Sequence, residues 1–425
     1  MTGRLSMASA LWCSLLAVQA VALAGEPVQP PSPVAEAVKV TPELAADPKV
    51  MEIVDGLGEG QSAELPPVKV VGDINDVASK YGLDKNGPGA RDYCIKMAWM
   101  PDRQRAIFYG ANHGVPHRLN DVWEYDLPSN TWVCLYGPDL SKGGKDGFSD
   151  VDRDSAETKA GIIRTRRGGP AIIPHSWWNM TYDPVLGAMI TPCSWSMSDP
   201  ELFKLLQSGS HRPPFWAFFP EKKRWEPILG AKGDLPGYEN ARQLEYVPEL
   251  GGTVWTKSDG MWLYDSKANA WKRLGKSAGY GGGLPAREAV MAYLPDRKIL
   301  VAHSRAGAGK PSAGYDRSWT SHYDIAKNEW KKVFESKEKD NPPAGMDAAT
   351  NFAYDTAGKV CLLWDAAWTK ALWAYEPETC RWTRLEPNGP PPPGGRGGLL
   401  AYYDQTRNVF AIPGKWVYRH KAAAK

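Results

Sequence analysis

The 425-residue sequence has little net charge, and that scarcity limits its partners. Its 51 Lys and Arg residues against 48 Asp and Glu residues leave a formal charge of +3. Proteins that attract nucleic acid or anionic membranes usually present a strong positive field, which so balanced a chain lacks. We therefore expect no nucleic-acid partner and no binding to membranes by charge.

Long apolar runs are also scarce. One run extends from Ala8 to Leu23, follows Arg4 and leads into Ala24 and Gly25, which is the pattern of a secretory signal cleaved after Ala24. No second run approaches the roughly 18 residues needed to cross a bilayer. We predict that residues 1–24 are a signal peptide and that the mature protein is secreted or periplasmic, without a membrane span.

Cysteine is sparse as well. Loss of Cys13 with the signal peptide would leave five cysteines, an odd number, so at least one thiol has no partner within the mature chain. The remaining residues are Cys94, Cys134, Cys193, Cys361 and Cys380. Cys94 and Cys134 fall within one repeat, and so do Cys361 and Cys380. Each pair could be a disulfide or two buried thiols, and the sequence does not decide between them.

Tryptophan is abundant, with 19 residues against nine Phe, and it belongs to a repeated hairpin. Each copy has a lead residue, an aromatic residue two positions on, a Trp nine positions on and an aliphatic residue three beyond that. The lead residues are Trp123, Trp216, Trp262, Ser321 and Trp373, so the steps between copies are 93, 46, 59 and 52 residues. Such steps are typical of propeller blades rather than of helical solenoids.

A second hairpin precedes each aromatic one. It joins an apolar strand to a β-branched strand through a turn rich in Pro, Asp or Gly. Six copies begin near Trp99, Tyr182, Tyr246, Tyr293, Tyr354 and Tyr402. Two hairpins make a four-stranded blade, so we predict an all-β fold, a six-bladed β-propeller of four-stranded antiparallel blades over residues 65–420.

The sixth blade lacks its last strand, because the chain ends soon after Trp416-Val417-Tyr418. A propeller closes most simply when the other end of the chain supplies such a strand. We predict that Val68–Val71 does so, with a three-stranded sixth blade as the alternative. Residues 25–64 are rich in Pro and Ala, a composition that predicts a disordered linker. Long insertions in the propeller are expected near 137–169 and 195–214.

Asn120-Asp121-Val122-Trp123-Glu124-Tyr125-Asp126, ending in Asn130-Thr131-Trp132, resembles a kelch repeat. Residues 262–271 and 323–330 match the same motif, so the chain resembles the kelch and galactose-oxidase central-domain superfamily. The resemblance implies a propeller, and it is specific for fold but not for activity. The double glycine usual after the second strand is mostly missing, since Gly110 is followed by Ala111.

Propellers usually bind ligands where connections from several blades converge at the channel mouth. One candidate set follows the second strands and could form a ligand cup at this mouth. A second set consists of basic residues at the start of innermost strands, which could clamp an anionic group. The candidate ligand-binding residues are Arg91, Asn112, His113, His175, Trp195, Arg287, His303, Asp365 and Arg396. Arg242 occupies a similar place. The alternative is that these residues terminate strands, fill the channel or support neighbouring blades.

The resemblance also implies two enzymatic alternatives. A copper-radical oxidase would need two His and two Tyr ligands, one Tyr joined to Cys, drawn here from His113, His175, His303, Tyr109, Tyr182 and Cys193. A cofactor-free sugar-acid mutarotase would need an acid–base group such as Asp347, Glu288 or His175. Our leading prediction is a non-catalytic propeller, without cofactor or metal, that binds a glycan or protein partner.

The acidic run from Asp150 to Glu157 has alternating carboxylates, which suit a hard cation such as calcium. It lacks the turn glycine and the distant bidentate Glu of the twelve-residue calcium loop. A solvated acidic loop is therefore the favoured interpretation.

Overall fold

The structure is a computed structural model that describes a large part of the chain after residue 43. The described residues are 44–89, 91, 94–110, 119–139, 152, 154–155, 162–171, 176–192, 215–228, 236, 239, 242–276, 285, 288–305, 318–336, 350–366, 370–394 and 400–422. They all belong to one unit, residues 41–425. The predicted signal peptide, residues 1–24, lies outside them.

An N-terminal arm precedes the blades. It contains helix α1 (Pro48–Gly56), strands β1 (Gln61–Glu64) and β2 (Lys69–Gly72), and the short helices α2 (Asp76–Lys80) and α3 (Leu83–Asn86). Asp47 caps α1 by accepting a hydrogen bond from the Lys49 backbone N–H. Helix α1 and strand β1 lie within residues 25–64, which we expected to be a disordered linker. Regular structure therefore begins earlier than residue 65, the expected start of the folded domain.

The first three blades contain twelve strands. Blade 1 is β3 (Ala98–Met100), β4 (Arg105–Tyr109), β5 (Val122–Asp126) and β6 (Thr131–Tyr136); blade 2 is β7 (Thr181–Asp183), β8 (Ala188–Pro192), β9 (Phe215–Phe219) and β10 (Arg224–Ile228); blade 3 is β11 (Leu244–Val247), β12 (Gly252–Lys257), β13 (Gly260–Asp265) and β14 (Ala270–Lys276). A single 3₁₀ turn, Pro248–Leu250, joins β11 to β12.

The remaining blades follow the same plan. Blade 4 is β15 (Val290–Leu294), β16 (Ile299–Arg305), β17 (Ser318–Asp324) and β18 (Glu329–Ser336); blade 5 is β19 (Thr350–Asp355), β20 (Val360–Asp365), β21 (Ala371–Glu376) and β22 (Arg381–Leu385); blade 6 is β23 (Tyr402–Asp404), β24 (Val409–Ile412) and β25 (Trp416–Arg419), with β1 as its outer strand. The predicted six-bladed β-propeller is confirmed.

The aromatic hairpin is a cross-strand pair in the outer half of each of blades 1 to 5. Tyr125 lies opposite Trp132 with ring centroids 5.2 Å apart, and Tyr375 lies opposite Trp382 at 5.0 Å. The hydroxyl of Tyr125 donates a 2.6 Å hydrogen bond to Asn130, which has a φ of 49° in the turn. Asn tolerates this left-handed conformation better than most residues, so the repeat is a packing and turn device.

Closure of the ring differs from the prediction in one respect. The N-terminal end of the chain does complete blade 6, but β1 pairs antiparallel with β25 and supplies the missing strand. The predicted segment, Val68–Val71, belongs to β2, which instead adds a parallel fifth strand outside β6 of blade 1. The prediction was wrong because Gln61-Ser62-Ala63-Glu64 has no β-branched residue to mark it as a strand, and its pairing with β25 is made by backbone groups.

Neither of the two possible disulfides is formed, which leaves the alternative of buried thiols. Cys134, Cys361 and Cys380 are thiols in the structure, so neither the Cys94–Cys134 pair nor the Cys361–Cys380 pair is bonded. Burial raises the pKa of the Cys134 and Cys361 thiols well above the usual range. These thiols therefore act as buried packing groups. No helix in the described part of the chain combines the length and the apolar character needed to cross a membrane.

Candidate functional site

The propeller has two faces that differ in how they are connected. Parallel bridges between innermost segments, such as Cys94 with Trp177 and Lys96 with Ala401, show that neighbouring blades run in the same direction. Every hairpin turn between first and second, or third and fourth, strands therefore lies on one face, here called the turn face. All other connections leave from the opposite face, here called the connection face.

The turn face is uniform. Its eleven turns each contain four residues, at 101–104, 127–130, 184–187, 220–223, 248–251, 266–269, 295–298, 325–328, 356–359, 377–380 and 405–408. Aspartates at the strand ends stabilise several of them by accepting a backbone N–H three residues on, as Asp265 does from Ala268 at 3.0 Å and Asp404 from Arg407 at 2.9 Å. This face is built for regular turns.

The connection face is irregular. Its connections within blades range from two residues at 258–259 to 22 at 193–214, and its connections between blades from 13 at 277–289 to 44 at 137–180. Long connections on a rigid scaffold are the usual carriers of binding residues. The two predicted insertions, near 137–169 and 195–214, both leave from this face.

Six of the nine predicted ligand-binding residues lie outside the described residues: Asn112, His113, His175, Trp195, Arg287 and Arg396. The same holds for Cys193 and Asp347, and for most of the acidic run. Arg91, His303 and Asp365 are described, and all three are buried.

Arg91 is engaged within blade 1. Its guanidinium donates two hydrogen bonds to Asp121, at 2.9 and 2.5 Å, and further bonds to the carbonyls of Gly110 at 2.9 Å and Pro88 at 3.0 Å. Only 2% of Arg91 is exposed. Gly110 and Asp121 are the two ends of the connection between β4 and β5, and Arg91 binds both, so it supports the base of this connection.

Arg242 is held in a similar way. Its side chain pairs with Glu239, and the second oxygen of Glu239 accepts hydrogen bonds from the Ser258 backbone N–H and hydroxyl, each at 2.9 Å. This network ties the segment before β11 to the shortest connection within a blade. Like Arg91, Arg242 secures a connection at the face from which binding residues would project.

His303 and Asp365 lie on second strands. The Nδ1 of His303 is 3.0 Å from the hydroxyl of Thr320, and its ring lies 4.6 Å from that of Trp382 in blade 5. Trp382 donates a 2.9 Å hydrogen bond to the same hydroxyl. His303 thus packs between blades 4 and 5. Asp365 ends β20 and is fully buried.

A charged pair on the propeller axis was missed by the sequence reasoning. Lys96 of blade 1 donates to the Leu244 carbonyl at 2.6 Å and to the Glu245 carboxylate at 2.7 Å, both in blade 3. Its ammonium also lies 5.4 Å from the ring centre of Trp178 in blade 2. Trp178 in turn donates a 2.6 Å hydrogen bond to the Met291 carbonyl in blade 4.

These contacts link blades that are not neighbours, near the connection face. Lys96 reaches from blade 1 to blade 3, and Trp178 reaches from blade 2 to blade 4. Burial lowers the pKa of Lys96 and raises that of Glu245, while each partner's charge opposes the shift. A Lys inside the apolar stretch Cys94–Ala98 is the sequence signal that could have revealed this pair.

The described surface offers little for an aromatic or metal ligand site. No aromatic side chain among the described residues is exposed, and the single large exposed apolar residue there is Val185 on the turn face. Within the same residues, no group of three or more His, Cys, Asp or Glu could hold a metal. Tyr182, considered above as a copper ligand, donates a 2.7 Å hydrogen bond to Asp102 in a turn-face hairpin.

Comparisons with known proteins give no relative by sequence. No family model and no curated protein matches the chain. Among solved structures, it is similar to a GH74 enzyme of Niastella koreensis, with 11% identity, a TM-score of 0.41 and coverage of 79% of this chain and 53% of that one. It is also similar to the extracellular domain of BT4673 from Bacteroides thetaiotaomicron, with 10% identity, a TM-score of 0.40 and coverage of 86% and 44%.

A third similar structure is a structural genomics protein of unknown function from Bacteroides thetaiotaomicron, with 9% identity, a TM-score of 0.33 and coverage of 76% and 58%. The chain therefore spans about half the length of the structures it matches. Likenesses of this degree carry no inference about activity. The kelch resemblance accordingly stays a prediction.

Proposed function

We propose that this chain is an exported, non-catalytic propeller of kelch type that binds a glycan or a protein partner through its connection face. The observation that carries the proposal is the asymmetry of the two faces. Eleven four-residue turns occupy the turn face, whereas the connections of the opposite face extend to 44 residues. Uniform turns serve the scaffold, and long, unequal connections are where propellers and other rigid folds hold their specificity.

The described side chains agree with this division of roles. Arg91 and Arg242 secure the bases of connections through Asp121 and Glu239. Lys96 and Trp178 link the innermost segments of blades 1 to 3 and 2 to 4 near the connection face, which holds these blades together beneath the long connections. We propose that Asn112, His113, His175, Trp195, Arg287 and Arg396 contribute to binding above these links. Export rests on the signal-like pattern of residues 1–24.

Face-selective blocking tests the proposal. Lys370 and Lys359 are a matched pair in blade 5, because both are exposed and both have a positive φ, 51° and 56°. Lys370 precedes β21 on the connection face, and Lys359 ends a turn on the turn face. Each is replaced by Cys in a Cys193→Ser/Cys380→Asn background and labelled with a polyethylene-glycol maleimide. Both proteins are then screened on a glycan array and against a phage-displayed peptide library.

We expect the label at residue 370 to abolish binding that the label at residue 359 leaves intact. The reverse pattern, or no specific binding of the unlabelled protein to either library, would overturn the proposal. Metal analysis of the purified mature protein addresses the enzymatic alternatives. Stoichiometric copper would indicate the oxidase, and interconversion of sugar-acid anomers by metal-free protein would indicate the mutarotase; either result would contradict a non-catalytic role.

A further inference from the structure

Four consecutive prolines, Pro390–Pro393, lie in the connection between blades 5 and 6. Proline fixes its own φ near −65°, and it also excludes the helical region for the residue before it. The first three members of the run each precede another proline, so both backbone angles are restricted. The sequence therefore dictates a polyproline II conformation, with about three residues per turn and no internal hydrogen bonds.

The run is fixed at its start to the strand that closes the ring. The carbonyl of Pro390 accepts hydrogen bonds from the Ser62 hydroxyl at 2.7 Å and from the Trp416 indole at 2.9 Å. Just before it, the Asn388 backbone accepts a hydrogen bond from the Ser62 N–H of β1 at 3.1 Å and donates one to the carbonyl of Gly60, which precedes β1, at 2.8 Å. These bonds hold the proline run in one place on the surface.

Gly389 makes this attachment possible. Its φ is 138°, and a Cβ at this position would lie 2.3 Å from the Ser62 carbonyl oxygen. Only a glycine allows so close an approach to β1. The segment is therefore specifically fitted to the closing strand and not merely passing over it.

The prolines divide into a buried and an accessible side. Pro392 is buried, Pro390 and Pro393 are half-buried, and Pro391 is exposed. With three residues per turn, Pro390 and Pro393 project on the same side of the rod. Buried Pro392 thus rests on the protein, while Pro391 and the edges of its neighbours remain accessible. The run also lies near Lys370 of the connection face, whose side chain comes within 3.1 Å of a Cβ built on Gly394.

We propose that Pro390–Pro393 is a docking segment for a protein partner that has an aromatic-lined groove. Such grooves bind polyproline rods by packing aromatic rings between prolines, and the rod loses little conformational entropy because it is already formed. This proposal rests on the function proposed above and narrows it to a protein partner. It assigns a role to the only four-proline run in the sequence.

The probes are isolated, isotope-labelled SH3 and WW domains, which represent aromatic-groove domains as a class. Each is titrated with the intact wild-type chain, with a Pro391→Ala/Pro393→Ala variant, and with a Pro184→Ala/Pro295→Ala control. The control prolines are exposed on the turn face. Nuclear magnetic resonance follows the groove residues of the probe, and thermal melting confirms that each variant is folded.

We expect groove resonances of at least one probe to shift equally with wild type and control. The dissociation constant should rise roughly tenfold or more with the Pro391→Ala/Pro393→Ala variant. Unchanged binding by that variant, or no groove shifts with wild type up to about 1 mM, would overturn the proposal. If labelling at Lys370 still blocked another ligand, the function proposed above would survive the failure of this one.

Discussion

The two faces of this propeller are built from the same strands but obey different rules. On the turn face every hairpin has four residues, and its side chains bond to their own turn or to the next blade. On the connection face the lengths range from two to 44 residues. A turn of fixed length keeps one backbone geometry, in which the last of the four residues has a positive φ, whereas a connection of free length can vary without disturbing the blades. The turn face is therefore constrained by the fold, whereas the connection face can change in sequence and length with function.

The largest expected effect concerns the charged pair formed by Lys96 and Glu245. Lys96→Met removes the partner of the buried Glu245 carboxylate, and breaking a buried pair in this way costs about 3–5 kcal/mol of unfolding free energy. Chemical denaturation measures the loss. The double variant Lys96→Met/Glu245→Met should recover a large part of it, because no charge is left alone. A single variant as stable as wild type would show that the axis pair does not hold the ring.

Acid should weaken the contact between blades 4 and 5. Burial, followed by the charges of Arg297 and Lys331, lowers the pKa of His322 to about 4. The unfolded chain, with a His pKa near 6.5, binds this proton first as the pH falls. The free energy of unfolding should therefore decrease between pH of about 6.5 and about 4, by on the order of 2 kcal/mol from this residue.

The variant His322→Gln provides the comparison. It keeps a neutral group that can bond to the Tyr375 hydroxyl, which lies 2.9 Å from the His322 Nε2. Denaturation curves across this pH range should fall less steeply for the variant than for wild type. Parallel curves would show that His322 titrates normally and that the turn-face charge of Arg297 is not felt there.

Hydroxyls that join neighbouring blades at the turn face should each contribute about 1 kcal/mol. Tyr354 of blade 5 donates a 2.5 Å hydrogen bond to Asp296 of blade 4, and Tyr182 donates to Asp102 in the same way. Tyr354→Phe should lower the free energy of unfolding by that amount. In blade 3 the matching turn position of the preceding blade is Val185, whose side chain has no acceptor, so Tyr246→Phe is the matched control with a smaller expected effect.

The smallest effect should be a gain in stability. Cys380 has a φ of 56° at a turn position where other copies have Asn130, Asn269 and Asn328. Because Asn adopts the left-handed conformation more readily, Cys380→Asn should stabilise the protein by about 0.5–1 kcal/mol. Thermal or chemical unfolding measures the change, and Asn269→Cys should cause a loss of similar size. A destabilised Cys380→Asn protein would show that blade 5 needs its thiol.

The sequence predicted the blades well because their signal is periodic and local. Tyr125 and Trp132 are seven residues apart, and the turn between them has its own residue preferences, so the pair forms wherever the hairpin forms. The closing strand was harder, because Gln61–Glu64 has no apolar pattern and binds through backbone groups that every sequence possesses. The strand-like Val68–Val71 drew the prediction to the wrong segment, although it also became a strand.

Candidate sites were less predictable, because they depend on contacts between distant residues. Arg91 had the expected position, yet its partner Asp121 decides that it holds a connection. His303 has its imidazole against Thr320 and Trp382, a setting that no local pattern indicates. The axis pair of Lys96 and Glu245 joins residues 149 positions apart.

The sequence alone determined the number of blades, the strands of each hairpin and the restricted backbone of the proline run, because these depend on hairpin spacing, turn residues and the fixed φ of proline. Only the tertiary structure decided which segment closes the ring, which charges meet on the axis and which side of the proline run is accessible. Those outcomes depend on contacts between residues of different blades, and the order of residues along the chain does not specify which distant residues come into contact.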